Sequence, residues 1–236
     1  SIKIKELIPP SLKELSDSLE TNRKTIDNLV GRMRNDNSDV CRELVANGLL
    51  TPAQMCHAAR LYELGKSREG KTIFWMIDEQ HRSRDGMVGD TWASVLLKQR
   101  GLLDKEYCPL HCLFGLHLIG AVGGAVCVVE SVRSCLVLSE RFPKYLWMAT
   151  GYLANLNERL FLPLKGHHVV CYPATDPTGD TYLLWLSVAS EARKYGIDIT
   201  VSRFLEDRAT PSQKSLCIDL VDFIFEPQIA QITQID

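Results

Sequence analysis

Acidic residues placed directly after short apolar runs are the first candidates for chemistry in this chain. Glu130 follows the five apolar residues Ala125 to Val129, and Asp176 and Asp180 lie just beyond the run His168 to Tyr172. Carboxylates at neighbouring positions of this kind can hold a divalent cation, because Mg²⁺ prefers carboxylate oxygens and keeps several of its waters. Asp219 and Asp222 stand three apart, on one face if helical, and read equally as a solvated face or a helix start. Asp176 precedes a proline in a Pro/Thr/Gly-rich stretch, where Asp is also expected for turn geometry alone. The other candidates are basic. Lys66, Arg68, Lys71, Arg82 and Arg84 form the densest cationic stretch, with Phe74 and Trp75 interleaved. Such a mixture suits a single-stranded nucleic acid. Glu63, Glu69, Asp78, Glu79 and Asp85 are mixed in, so a solvated hairpin is the alternative. Phe74 and Trp75 fall on opposite faces of a strand, so at least one belongs to the core.

Cys108, His111, Cys112 and His117 have the types of metal ligands, but their spacing fits no common zinc pattern. Buried thiols and a core histidine are the expectation there. His167-His168 follows Gly166 and reads as a turn at a strand entrance.

The elements that must position these residues change character along the chain. Ser11 with Glu14 has capping-box spacing, followed by a helical stripe of Leu12, Leu15 and Leu19, and a second helix is expected through Ile26 to Met33. Helices are expected from Asp39 to Asn47 and from Thr51-Pro52 to Gly65, the latter with Thr51 as cap. Thr72–Ile77 is strand-like, with Arg82–Val88 as a hairpin partner. Residues 89–110 carry no clear pattern. From Gly124 short apolar strands alternate with helices: Ala125–Val129, Leu146–Ala149, His168–Tyr172 and Ile197–Val201, with helices over Ser131–Glu140 and Thr181–Tyr195. Unbroken apolar strands alternating with helices predict a mostly parallel sheet covered on both faces. Ligands of such sheets bind beyond the carboxyl ends of the strands. That rule selects Glu130 and Ser131, then Thr150 and Gly151, then the loop from Pro173 to Gly179.

Composition narrows the class. The chain has 236 residues, 45% hydrophobic and 24% charged, with 27 basic and 29 acidic residues and a net charge of −2. These values exclude a disordered chain and a blanket polyanion binder. No apolar run approaches the roughly 20 residues of a membrane span. Eight cysteines, several inside apolar runs (Cys127, Cys171, Cys217), read as reduced and buried. With no signal-peptide core in SIKIKELIPP, a cytoplasmic protein is expected. Residues 1–100 carry 16 basic and 14 acidic residues, and residues 101–236 carry 11 and 15, so the acidic surplus falls with the strand-end candidates.

VCVVES, WMATGYLANL and LKGHHVVCYPATDPTGD together resemble a toprim domain, the fold shared by bacterial primases, topoisomerases and related nucleases. FWMIDEQHRSRDGM, CLFGLHLIG and IDLVDFI extend the resemblance to a primase-related family found mainly in bacterial mobile elements. The resemblance covers most of residues 72–225. It implies an α/β toprim, Rossmann-like sheet flanked by helices, preceded by an N-terminal helical segment (1–66) and a β-hairpin with its connection (67–120), the toprim-like part occupying 121–236.

By the same resemblance Glu130 matches the toprim glutamate, a general acid/base in active members. Asp176 lies near the metal-binding Asp-x-Asp pair, and Asp219 and Asp222 match the terminal acids, so these three would hold Mg²⁺. Arg133 takes the place of a family lysine. Ser131, Thr150, Gly151, Arg82 and Arg84 complete the expected substrate contacts. The chain departs from the family at Ala174, Val132 and Leu116, each in place of an acid, and at Tyr152, in place of a glycine. Two readings follow. One is a Mg²⁺-dependent nucleic-acid-processing protein of a mobile-element replication or mobilisation system, with nucleic acid and other proteins of that system as partners and no membrane. The other is a toprim fold without catalysis, kept as a binding or scaffolding module. A small-nucleotide-binding regulator is a third expectation.

Overall fold

The computed structural model describes residues 12–121 and 125–225, with side chains from residue 18 onward. The expected Ser11 cap and the Leu12 and Leu15 side chains lie outside the described side chains.

One helix, α1 (Leu12–Met33), replaces the two expected. No glycine or proline interrupts it before Gly31, and Arg23 braces its middle by pairing with Glu20 at 2.7 Å and Asp27 at 2.6 Å. Its buried face is carried by Ile26 and Val30, while Leu19 is 51% exposed. Then follow α2 (Asp39–Ala46) and α3 (Pro52–Leu61). Thr51 caps α3 through a complete capping box with Gln54, as Thr51-Pro52 predicts.

The hairpin is part of a four-stranded antiparallel sheet in sequence order: β1 (Gly65–Lys66), β2 (Thr72–Ile77), β3 (Ser83–Val88) and β4 (Thr91–Trp92). A short helix, α4 (Ala93–Gln99), occupies the stretch that had no clear pattern. Strand β2 is buried along its whole length, because its two faces feed two cores. Phe74 and Met76 join the main core, whereas Ile73, Trp75 and Ile77 join a second one with Ile26, Val30 and Leu97.

The second half is a parallel sheet. Its strands are β5 (Val126–Val129), β6 (Leu146–Ala149), β7 (His168–Cys171) and β8 (Asp198–Val201), in the order β6-β5-β7-β8. Helices α5 (Val132–Arg141) and α6 (Asp180–Lys194) connect them. All three pairings are parallel, with Val126 opposite both Leu146 and Val169. Two short helices, α7 (Phe204–Arg208) and α8 (Pro211–Ser215), lead to a closing helix over 220–225. This is a mixed α/β, toprim-like architecture, as expected.

Backbone, aromatic and side-chain contacts join the halves. Phe114 bridges to Ala149 at the edge of β6, and Tyr62 stacks on Phe114 at 5.0 Å while its hydroxyl donates to the Trp147 carbonyl at 2.8 Å. Gly151 meets Met87 and Met76 of the hairpin sheet. Of the cysteines expected in the core, Cys127 and Cys171 are buried, but Cys217 is exposed. Its backbone turns at φ 53 just after α8, which lifts the side chain out of the apolar run around it. No described helix is long and apolar enough to cross a membrane.

Candidate functional site

A cavity of about 440 Å³ opens at the carboxyl ends of β5 and β6. The parallel half contributes Glu130, Ser131, Arg133, Gly151, Ala174, Asp219 and Asp222 to its lining, and the first half contributes Asp39, Lys71, Thr72, Gly89 and Asp90.

Glu130 is the first residue beyond β5 and is half-buried. Burial raises its pKa above the ordinary carboxylate value, Asp219 raises it further, and the Leu153 amide pulls it partly back. Ser131 caps α5, its hydroxyl accepting the Ser134 amide at 3.2 Å. The Ser134 hydroxyl in turn donates to Asp219 Oδ2. Asp219 is itself the cap of the closing helix. Its Oδ1 accepts the amides of Val221 at 2.8 Å and Asp222 at 3.1 Å, while Asp222 Oδ2 accepts the Asp219 amide at 3.0 Å. Burial also raises the Asp219 pKa, with Asp222 adding to it and the hydrogen bonds from Ser134 and the helix amides opposing. Two carboxyl groups therefore share one cavity, each made harder to ionise by burial first and then by a neighbouring acid.

The cations on the wall are already in ion pairs. Arg133 pairs with Glu43 of α2, and Lys71 lies 3.2 Å from Asp39. Asp39 differs from Glu130 in its titration. Burial pushes its pKa up, but hydrogen bonds from the Thr72 hydroxyl and amide, the Val40 amide and Lys71 prevail and hold it at about 2. Asp39 and Asp90 carry no site signal in the sequence, and Lys71 stands out there only as part of the basic stretch with Arg82 and Arg84. Asp39, Lys71 and Asp90 reach the cavity only because the hairpin sheet packs over the strand ends, a non-local contact that leaves no spacing signal.

Gly151 has φ +87, and its amide donates to the Glu130 carbonyl at 2.9 Å. A Cβ there would collide with Met87 Sδ, so the close approach of the two halves requires glycine. Thr150 beside it is fully buried and does not line the cavity.

Asp176 is also absent from the lining. Its Oδ1 accepts the amides of Thr178 at 2.8 Å and Gly179 at 2.7 Å and the Thr178 hydroxyl at 2.7 Å, and its Oδ2 accepts the Thr181 amide at 2.7 Å. Burial opposes ionisation there, but these donors win and hold the carboxyl well below the usual range. Asp176 thus acts as the anchor of the turn into α6. At the residue after Pro173, where the resemblance calls for an acid, Ala174 lines the cavity.

Arg82 and Arg84 lie elsewhere, on a separate cavity with Glu20, Arg23 and Tyr107. Both point their Nε at Asp78 Oδ2, at 2.9 and 2.7 Å. The Asp78 side chain is only 3% exposed, so this is a part-buried ion triad. Phe74 and Trp75 are both buried, so neither offers a stacking face beside these arginines.

Among the described residues no three His, Cys, Asp or Glu side chains converge to hold a metal by protein donors alone. Cys112 and His117 are buried, and His111 pairs with Asp85 at 3.0 Å. A Mg²⁺ ion commonly takes one or two carboxylates and completes its shell with water and substrate phosphate. Glu130 and Asp219 supply the carboxylates, although both Asp219 oxygens also accept hydrogen bonds, Oδ1 from the Val221 and Asp222 amides and Oδ2 from the Ser134 hydroxyl. Both are hard oxygen donors in one cavity, and neither has a cationic partner among the described residues.

A family described as a domain of unknown function (DUF6371) matches residues 89–175, a span that includes Glu130 and Gly151. No curated protein matches the chain. Several solved structures do. The catalytic domain of the DnaG primase bound to single-stranded DNA is 15% identical, with 92% of this chain and 84% of that one covered and a TM-score of 0.52. The DnaG catalytic core is 14% identical over 92% and 85% of the two chains, with a TM-score of 0.52. The Aquifex aeolicus primase, represented by its zinc-binding and RNA polymerase domains, is 14% identical over 96% and 68%, with a TM-score of 0.51. In fold, more than nine-tenths of the chain is therefore similar to primase catalytic domains, a span too long to leave out either the hairpin half or the parallel half.

Proposed function

We propose that this chain is a primase-related nucleic-acid-processing protein whose acidic cavity works with a bound divalent cation. The observation that carries the reading is the sharing of one half-buried cavity, at the carboxyl ends of the parallel strands, by Glu130 and Asp219 without a cationic partner. Glu130 and Asp219 would hold Mg²⁺, with Asp222 beside them. When bound, the ion would supply charge stabilisation for a phosphoryl oxygen. The chain's own residues would do the rest. Burial and Asp219 raise the Glu130 pKa, and cation binding would reverse that by favouring the ionised carboxylate as a ligand. Lys71 and Arg133, both on the lining, would meet an anionic substrate by exchanging their ion pairs with Asp39 and Glu43 for it. The fold similarity to primase cores supports nucleic acid as that substrate, and the motif resemblance supports a setting in mobile-element replication or mobilisation.

Ala174 and Asp176 favour a second reading, a toprim fold retained for binding rather than chemistry. One carboxylate of the expected set is missing from the cavity, and another is consumed by backbone donors. Fluorescence anisotropy of a labelled single-stranded oligonucleotide separates the two. The first reading expects binding that strengthens with Mg²⁺ and loses that gain in Glu130→Gln. Binding indifferent to both Mg²⁺ and Glu130→Gln supports the second. No binding even at low salt contradicts both.

A further inference from the structure

A larger cavity, of about 770 Å³, lies between α1, the hairpin sheet and α4. It is separate from the acidic cavity, and Lys71 is the one residue on both linings. Its floor is apolar, made by Met33, Ile73, Trp75, Val88 and Leu97. Four cations, Arg32, Arg68, Lys71 and Arg100, stand around it against a single acid, Glu69. Glu69 lies 3.6 Å from Arg100, and Lys71 reaches Asp39, but Arg32 and Arg68 make no ion pair among the described residues. The Trp75 side chain is 1% exposed, and its Nε1 is buried without a hydrogen-bond partner.

We infer that this cavity binds a small anionic amphiphile, with an aliphatic or aryl body on the floor and a carboxylate or phosphate head at the arginines. The size matches a small-molecule site, and such sites pair an apolar lining with a few placed polar groups. A local excess of unpaired guanidinium groups on a chain of net charge −2 marks the rim as an anion contact. The floor also discriminates. A nucleobase carries donors and acceptors along its edge, and here it would bury them against aliphatic side chains with almost no partner, which is costly. An alkyl or aryl body has no such groups to satisfy. The inference does not depend on the function proposed for the acidic cavity.

The test is a titration of the full chain with anilinonaphthalene sulfonate, an anionic aryl probe, followed by its fluorescence. Saturable binding at one site is expected. The double substitution Arg32→Glu and Arg68→Glu, both exposed positions, is expected to weaken it at least about ten-fold with the thermal midpoint unchanged. Glu130→Gln is expected to leave it unaltered. Dodecanoate and dodecyl phosphate, each below its micellar concentration, identify the preferred head group by competition. Probe binding that ignores the arginine substitutions, or that is lost in Glu130→Gln, overturns the inference. So does failure of both dodecyl anions to compete. Displacement by AMP or by a single-stranded oligonucleotide instead would assign the cavity to nucleic acid and overturn it equally.

Discussion

Asp219 and Asp222 cap each other. The Asp219 carboxylate accepts the Asp222 amide at 3.1 Å, and the Asp222 carboxylate accepts the Asp219 amide at 3.0 Å. The reciprocal pair starts the closing helix and at the same time fixes Asp219 against Ser134 and toward Glu130. A motif that reads as two metal ligands is thus also a piece of helix chemistry, and the two roles can be taken apart.

Asn is as good a helix cap as Asp. Asp219→Asn therefore keeps the cap while removing a charge that opposes Glu130 and Asp222. Its thermal midpoint is expected to match or exceed that of the parent. Asp222→Ala removes half of the box and is expected to cost about 1 kcal/mol, or roughly 2–4 °C. Thermal melts of the two variants check this, and equal losses in both would contradict the capping role.

The pH dependence of Glu130 has a definite sign. Its folded pKa is raised, first by burial and then by Asp219. Its contribution to stability is complete below the unfolded pKa and is lost as pH rises through the folded pKa. Near neutrality the ionised group therefore weighs against the fold. Glu130→Gln is expected to raise the thermal midpoint by about 2 °C near pH 8, with the gain shrinking toward about pH 4. Asp39 and Asp176 have lowered pKa values and the opposite sign, but they are common to both proteins and cancel in the difference. A gain that grows on acidification would contradict the assignment.

Gly151 is under two constraints that Gly89 separates. Both have positive φ, +87 and +58, but a Cβ at Gly151 meets Met87 Sδ, whereas one at Gly89 meets nothing within 4 Å. Gly89→Ala carries backbone strain alone, of order 1 kcal/mol. Gly151→Ala adds overpacking of about 1–3 kcal/mol. Denaturant unfolding of the pair is expected to show Gly151→Ala as clearly the worse, and equal losses would mean that the contact between the halves yields easily.

Arg84 is committed to the part-buried Asp78. Arg84→Ala is expected to cost about 1.5–3 kcal/mol of stability, because a charged hydrogen bond to a buried carboxylate is lost. Single-strand affinity at moderate salt is expected to stay within about two-fold. A large drop in affinity with unchanged stability would place nucleic acid on this face instead.

The parallel sheet was legible because its strands are short apolar runs between turns, and β5 and β6 fall where those runs lie. Thr51-Pro52 was legible because capping is local. Helix α4 was not, since it starts after Trp92 with no capping side chain. Glu130 stood out because it ends a strand. Asp39 and Asp90 did not, and Lys71 stood out only with the arginines of the hairpin, because only the packing of one half over the other brings the three to this cavity. Asp176 carried the right residue type in the right loop, yet its oxygens are taken by the amides that begin α6. Residue type and loop position thus locate an acid without telling which hydrogen bonds it has already made.

Calorimetric titration with Mn²⁺ at neutral pH tests the central claim most directly, that Glu130 and Asp219 form a cation site. Saturable binding is expected in the parent chain, with loss in Glu130→Gln and in Asp219→Asn and retention in Asp176→Asn if that variant remains folded. Absence of saturable binding at millimolar Mn²⁺, or binding that survives both Glu130→Gln and Asp219→Asn, would contradict it.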